Sequence, residues 1–114
     1  MAEQKNEQIK LLVRLQDLDL MIEEINEVQQ LGFDVEGKAQ LEKARAELAA
    51  RLSKPLLYTY ERLRARYKRA IVPVKHDTCL GCFMRVPTAV TTRGRSEEEI
   101  ITCEGCGRIL YWLD

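Results

Sequence analysis

The sequence lacks any run of about 18 apolar residues, the length that a membrane helix needs. It opens Met-Ala-Glu-Gln-Lys without an apolar signal segment, which favours a cytoplasmic location where thiols stay reduced. Histidine is scarce, with His76 alone, and no nucleophile-and-base pattern accompanies it. We therefore expect no membrane association, no small-molecule substrate and no enzymatic activity.

Proline and glycine are absent from Glu3 to Gln30, so nothing interrupts a helix there. Apolar residues recur in this stretch at alternating steps of four and three, the spacing of a coiled-coil seam. The seam consists of Leu11, Leu15, Leu18, Ile22 and Ile25. Four further apolar residues fall outside it and indicate packing on a second neighbour or a homo-oligomer surface. They are Leu12, Leu20, Met21 and Val28.

A turn near residues 31–37 is predicted by Gly32 and Gly37, and a second helical arm follows from about Lys38 to Arg69. Ser53-Lys54-Pro55 interrupts this arm, because proline removes a helical hydrogen bond; Ser53 could instead cap a new helix. We expect residues 1–70 to form an antiparallel coiled-coil hairpin with a kink or short break near 53–55.

The C-terminal part, residues 71–114, has the composition of a small β-sheet. Three segments are rich in β-branched, aromatic or other apolar residues, as strands are: residues 71–75, 99–102 and 108–113. The segment from Thr88 to Ser96 is expected to be a flexible hairpin loop. The predicted fold class is α+β, a helical hairpin followed by a sheet.

All four cysteines belong to two C-x-x-C pairs, Cys79 with Cys82 and Cys103 with Cys106, and twenty residues separate the pairs. This spacing predicts one structural Zn²⁺ held by four thiolates, which would make residues 71–114 a zinc ribbon. Two disulfides are the alternative typical of secreted proteins, and a thioredoxin-like redox motif is another, although that motif normally stands alone in a βαβ context.

Charge is distributed unevenly along the chain. Residues 1–50 contain six Lys or Arg against eleven Asp or Glu, whereas residues 51–114 contain twelve against seven. The densest basic run provides candidate nucleic-acid contacts, or else an ordinary solvated helix face. The candidates are Arg64, Arg66, Lys68 and Arg69.

Two further pairs of charged residues are candidates. Asp34 and Glu36, at the hairpin tip, are either ordinary turn residues or an acidic tip that binds a partner. Arg85 and Arg108 follow the two cysteine pairs closely. They either balance the negative charge of a zinc-thiolate centre or are exposed strand residues.

Several segments resemble the bacterial C4-type zinc-ribbon family with an N-terminal coiled coil. The resemblance rests on Val72-Pro-Val, Cys79-Leu-Gly-Cys-Phe-Met-Arg-Val-Pro87 and Cys103-Glu-Gly-Cys-Gly-Arg-Ile-Leu-Tyr-Trp112, together with the stretch that begins at Pro55. It implies zinc on the four cysteines and a binding protein instead of an enzyme. Phe83 stands where that family usually has His, and the hairpin is shorter than usual.

Two functions are open at this point. One is a nucleic-acid-binding protein or transcription-linked adaptor, as the family resemblance implies. The other is a protein-interaction module or chaperone that holds a sigma factor or RNA polymerase through the hairpin. Members of the family with roles in flagellar and alternative-sigma-factor regulation make either kind of partner an expectation.

Overall fold

Four helices and four short strands make up the described part of the chain, residues 2–95 and 99–113 of a computed structural model. The helices are α1 (Ala2–Gln30), α2 (Lys38–Arg51), α3 (Lys54–Arg66) and α4 (Thr88–Arg95). The strands are β1 (Ile71–Lys75), β2 (Thr78–Cys79), β3 (Ile101–Thr102) and β4 (Ile109–Trp112). This arrangement confirms the predicted α+β fold, with helices followed by a small sheet that carries the cysteines.

The end of α1 is closed by a glycine in the left-handed conformation. Gly32 has φ +95°, its N–H donates to Gln29 O at 3.0 Å, and the N–H of Phe33 reaches back to Val28 O at 3.4 Å. This pair of bonds is the Schellman motif, which satisfies carbonyls that a helix end otherwise leaves free. Backbone hydrogen bonds therefore order the start of the turn after α1.

Side-chain contacts show that α2 runs antiparallel to α1. Near the end of α2, Arg51 pairs with Glu7 at 3.2 Å, and earlier in the same helix Arg45 pairs with Asp19 at 2.6 Å. As residue numbers rise along α2 they fall along α1. The two helices therefore form a hairpin.

Helix α3 turns back alongside α1 instead of continuing the direction of α2. Ser53 N–H donates to Gln8 Oε1 at 2.9 Å, Tyr60 Oη donates to Asp19 Oδ2 at 2.7 Å, and Arg64 Nη2 lies 2.5 Å from Glu23 Oε1. Residue numbers rise together in these pairs, so α3 is parallel to α1. The chain therefore reverses direction between the end of α2 at Arg51 and the start of α3 at Lys54. This is a larger change of direction than a kink within one helical arm.

The core that includes the third helix explains one apolar position outside the α1 seam, that of Leu12. Leu12 is fully buried, although its position off the seam made it a candidate for an outward surface. It belongs to a core of α1 and α3 residues and the start of β1, with Tyr60, Leu63 and Ile71. An amphipathic helix with a wide apolar stripe packs on two neighbours at once.

The C-terminal sheet has the strand order β2-β1-β4-β3. Strands β1 and β4 are parallel, with Ile71 opposite Ile109 and Val74 opposite Trp112, while the two outer pairs are antiparallel. The second core of the molecule lies on this sheet. It contains Val72, Val74 and Leu110 together with two of the cysteines.

The segment expected to be a flexible loop is largely helical, so that prediction was wrong for Thr88–Arg95, the residues of α4. Val90, Thr91 and Gly94 are buried in this helix. The indole of Trp112 packs on Gly94, where an added Cβ would lie 2.2 Å from the ring. Tertiary packing on the sheet therefore stabilises a helix of modest intrinsic propensity; Ser96 lies outside the described residues.

Within the described residues, no helix combines the length and the apolar character that a bilayer crossing needs.

Candidate metal centre and neighbouring surfaces

The four cysteine side chains converge on one point. Their sulfur atoms all lie within 4.8 Å of one another; Cys79 Sγ is 4.0 Å from Cys106 Sγ, and Cys82 Sγ is 3.7 Å from Cys103 Sγ. Sulfurs around tetrahedral zinc stand about 3.8 Å apart, whereas a disulfide needs about 2 Å. The four residues therefore fit one structural Zn²⁺, as their spacing predicts, and His76 is not part of the cluster.

Two turns with the same hydrogen-bonding pattern present these sulfurs. In the first knuckle, residues 79–84, Phe83 N–H donates to Cys79 O at 2.7 Å and Cys79 N–H donates to Met84 O at 2.9 Å. The second knuckle, residues 103–108, repeats both bonds at the same offsets, each 2.8 Å long. Each C-x-x-C pair is thus aimed by its own backbone.

Both knuckles require a left-handed residue at the same place. Gly107 has φ +79° in the second knuckle, and Phe83 has φ +64° in the first. Glycine adopts this conformation freely, whereas phenylalanine is strained there. The Phe83 side chain is also 72% exposed, so little burial offsets the strain.

The thiols differ in acidity. Burial raises the pKa of Cys79, and burial raises the pKa of Cys106 to about 12. Burial acts in the same direction at Cys103, but backbone N–H groups of Cys106 and Gly105 outweigh it and lower the pKa of that thiol. Zinc binding needs thiolates, so the metal must displace protons from this site.

A centre of four sulfurs has no open coordination position. Catalytic zinc keeps three protein ligands and a position for water or substrate, whereas structural sites are closed. The ligand set here is therefore that of a structural site. Its chemical contribution is folding free energy for a short segment.

Residues 78–110 match the family model of the C4-type zinc ribbon domain. Residues 78–110 are a C4-type zinc ribbon. This zinc ribbon holds all four cysteines, and the helical part lies outside the matched segment. A search of curated proteins gave no match.

Two solved bacterial structures are similar to the zinc ribbon together with helices. The protein CT398 from Chlamydia trachomatis is 28% identical over 79% of this chain, with a TM-score of 0.62. The HP0958 protein from Helicobacter pylori is 33% identical over 77% of this chain, with a TM-score of 0.61. In both alignments, this chain spans 36% of the other protein's length.

Of the four candidate nucleic-acid contacts, one is held by other residues of the protein and three are exposed. The Arg64 side chain is only 12% exposed, because it pairs with Glu23 and donates to the Lys68 carbonyl. Arg66, Lys68 and Arg69 are exposed at the end of α3 and in the connection to β1. The structure therefore leaves three of these cations accessible.

The hairpin tip carries exposed acids and exposed apolar side chains side by side. Asp34 and Glu36 are exposed, as are Leu31 at 76% and Phe33 at 64%. Sequence reasoning treated this segment as a turn and overlooked the two apolar residues. The available signal was a large apolar side chain on each side of Gly32, within a predicted turn.

Sequence reasoning also overlooked the role of Tyr67 beside the metal centre. Tyr67 Oη donates to the carbonyl of Cys106 at 2.9 Å, and its ring lies under the Arg108 guanidinium. No spacing pattern indicates this contact, since 39 residues separate Tyr67 from Cys106. Only the reversal of α3 and the parallel pairing of β1 with β4 bring the two together.

Proposed function

We propose that this protein is a non-catalytic adaptor that holds a protein partner with the distal hairpin, defined as residues 20–44, and uses the zinc ribbon as a structural platform. The observation that carries this proposal is that no residue of the distal hairpin is buried. Nine apolar side chains larger than alanine are partly or fully exposed there. They are Leu20, Met21, Ile22, Ile25, Val28, Leu31, Phe33, Val35 and Leu41.

Charge indicates the chemistry of the partner. The distal hairpin contains six acidic residues and two lysines, a formal net charge of −4. A negative surface repels nucleic acid and attracts basic protein surfaces. Exposed Leu31 and Phe33 then supply two neighbouring apolar side chains that a pocket on the partner would bury. A basic protein surface with an apolar pocket fits this end of the molecule.

The family resemblance suggests where such a partner acts. Transcription or flagellar machinery, including a sigma factor or RNA polymerase, is the partner class that it implies, in the cytoplasm. The partner class, the cytoplasmic location and the absence of catalysis are all parts of this proposal.

The proposal is tested by affinity purification from native cells, with half of each sample treated with nuclease. The variant Leu31→Ser/Phe33→Ser removes the anchors from an exposed site and should abolish capture of the bound protein. Tyr58→Ser is the matched control, because Tyr58 is 69% exposed on α3, away from the tip. A protein captured by wild type and control but not by the tip variant, in both nuclease conditions, supports the proposal.

Charge reversal tests the same surface independently. Asp34→Lys/Glu36→Lys should weaken binding to the purified partner and remove most of its salt dependence. Capture that survives both sets of tip changes, or that nuclease abolishes, contradicts the proposal.

A second candidate, nucleic-acid binding, is favoured by the three exposed cations Arg66, Lys68 and Arg69. Phosphate contacts should make retention of RNA or DNA in a filter-binding assay fall steeply with salt. Lys68→Glu/Arg69→Glu should remove this retention, whereas Lys43→Glu, on α2, should not. No retention by wild type at low salt excludes this function.

A further inference from the structure

The guanidinium of Arg108 lies against both the ring of Tyr67 and the first knuckle. Its Cζ is 3.9 Å from the centroid of the Tyr67 ring. An added Cβ on Gly81 would lie only 2.3 Å from Arg108 Nη1. Arg108 follows Cys106 by two residues, and Gly81 lies between Cys79 and Cys82. The side chain therefore bridges both cysteine pairs.

Arg108 has no carboxylate partner among the described residues. Its Nε atom is buried and has no hydrogen-bond acceptor there either. A partly buried cation is costly unless a negative charge compensates it. Four thiolates around Zn²⁺ carry a formal charge near −2, and this side chain lies beside the turns that hold them.

We infer that Arg108 is the counter-ion of the zinc-thiolate centre and that Tyr67 holds it in place. Tyr67 presents its ring face to the cation and donates from Oη to the carbonyl of Cys106, so the ring is fixed relative to the second knuckle. A preorganised charge beside a metal centre strengthens metal binding because it needs no rearrangement when the thiolates form.

The other arginine near the cysteines provides a matched control. Arg85 follows Cys82 by three residues, but its side chain is exposed to solvent. Water screens an exposed charge, so Arg85 should contribute little to the stability of the centre. Removing either arginine changes the net charge equally, but Arg108 is half-buried against the first knuckle whereas Arg85 is exposed.

Zinc affinity, measured on the full chain by competition with a chromogenic chelator, tests this inference. Arg108→Met keeps most of the side-chain length and removes the charge, whereas Arg108→Lys keeps the charge and loses the planar stacking group. We expect Arg108→Met to weaken zinc binding by about tenfold and Arg108→Lys by less. Arg85→Met should remain within about twofold of wild type, as an exposed charge would.

The order of the variants separates charge from packing. If Arg108 only fills space, Arg108→Met will bind zinc as well as or better than Arg108→Lys, and this result overturns the inference, as does an equal loss in Arg85→Met. Tyr67→Leu, which keeps both arginines, should lose several-fold in affinity; an unchanged value contradicts the role of the ring. The Co²⁺-loaded variants should keep the charge-transfer bands typical of four thiolate ligands. A variant that loses these bands has lost a cysteine ligand, which is a different effect from losing the charge of Arg108.

Discussion

Gln16 and Ile71 exchange two hydrogen bonds where the helical part meets the sheet. Gln16 Oε1 accepts from the N–H of Ile71 at 3.0 Å, and Gln16 Nε2 donates to the Ile71 carbonyl at 2.9 Å. The same Oε1 also accepts from Ala70 N–H at 2.6 Å. Gln16 is only 4% exposed, so its amide replaces water at the start of β1. One side chain of α1 thus satisfies three backbone groups of the zinc-ribbon end.

Replacing this amide should be costly. Gln16→Leu leaves buried N–H and carbonyl groups without partners, and we expect it to lower the free energy of unfolding by about 2–4 kcal/mol. Urea denaturation of the zinc-loaded protein measures the change. Gln40→Leu, at an exposed position of α2, should cost less than about 0.5 kcal/mol. Similar losses in both variants would contradict the importance of the Gln16 contacts.

The buried hydroxyl of Tyr60 should stabilise the helices through Asp19. Tyr60→Phe removes a 2.7 Å hydrogen bond to a carboxylate that still pairs with Arg45, and we expect a loss of about 1–2 kcal/mol. Thermal unfolding checks this value. Tyr58→Phe, at a largely exposed tyrosine of the same helix, is the control and should change little.

The same tyrosine predicts a loss of stability in alkali. Burial, and then the bond to Asp19, raise the pKa of Tyr60 well above its ordinary value of 10. Above about pH 10 the unfolded chain releases this proton while the folded protein keeps it, so the free energy of unfolding falls as pH rises. Well below pH 10 both states keep the proton, and this group does not change the stability. Urea midpoints at pH 9 to 11 should therefore decline more steeply in wild type than in Tyr60→Phe. Parallel declines would contradict the assignment.

Substitutions at the left-handed positions of the two knuckles should change stability in opposite directions. Gly107→Ala meets no atom within 4 Å, so strain alone should cost about 1 kcal/mol. Phe83→Gly relieves the corresponding strain and should raise stability by about 0.5 kcal/mol. Melting temperatures at fixed free zinc compare them. A large destabilisation in Phe83→Gly would show that the exposed ring packs in a way that its 72% exposure does not indicate.

Removal of zinc should unfold the ribbon, including α4, and spare helices α1 to α3. Two of the eight residues in the second core are the metal ligands Cys79 and Cys103, whereas the core around Tyr60 contains none. After chelation, hydrogen exchange should become fast in β1–β4 and slow exchange should persist in α1. Circular dichroism should lose only a small part of its helical signal, because α4 has 8 residues and α1 alone has 29. Complete loss of helix would show that the two cores unfold as one.

Local patterns predicted features that depend on neighbouring residues. The spacing of the cysteines indicated a zinc site, because each C-x-x-C pair aims two sulfurs from a single turn, although the sheet is needed to bring the two pairs together. The apolar repeat of α1 predicted its helix for the same reason. The loop predicted from Thr88 to Ser96 failed because contacts with Trp112 and the sheet outweigh weak local propensity in α4.

By itself, the sequence determined the helix of α1 and identified the metal and its four ligands, since the helical repeat and each C-x-x-C pair depend on residues a few positions apart. Only the tertiary structure decided that α3 turns back from α2 to run parallel to α1. It also decided that Leu12 is buried, and that Tyr67 and Arg108 meet at the zinc ribbon. These contacts join residues far apart in the chain, and they form because apolar faces bury one another wherever the connections allow. Periodicity records that a face is apolar, and packing determines what covers it.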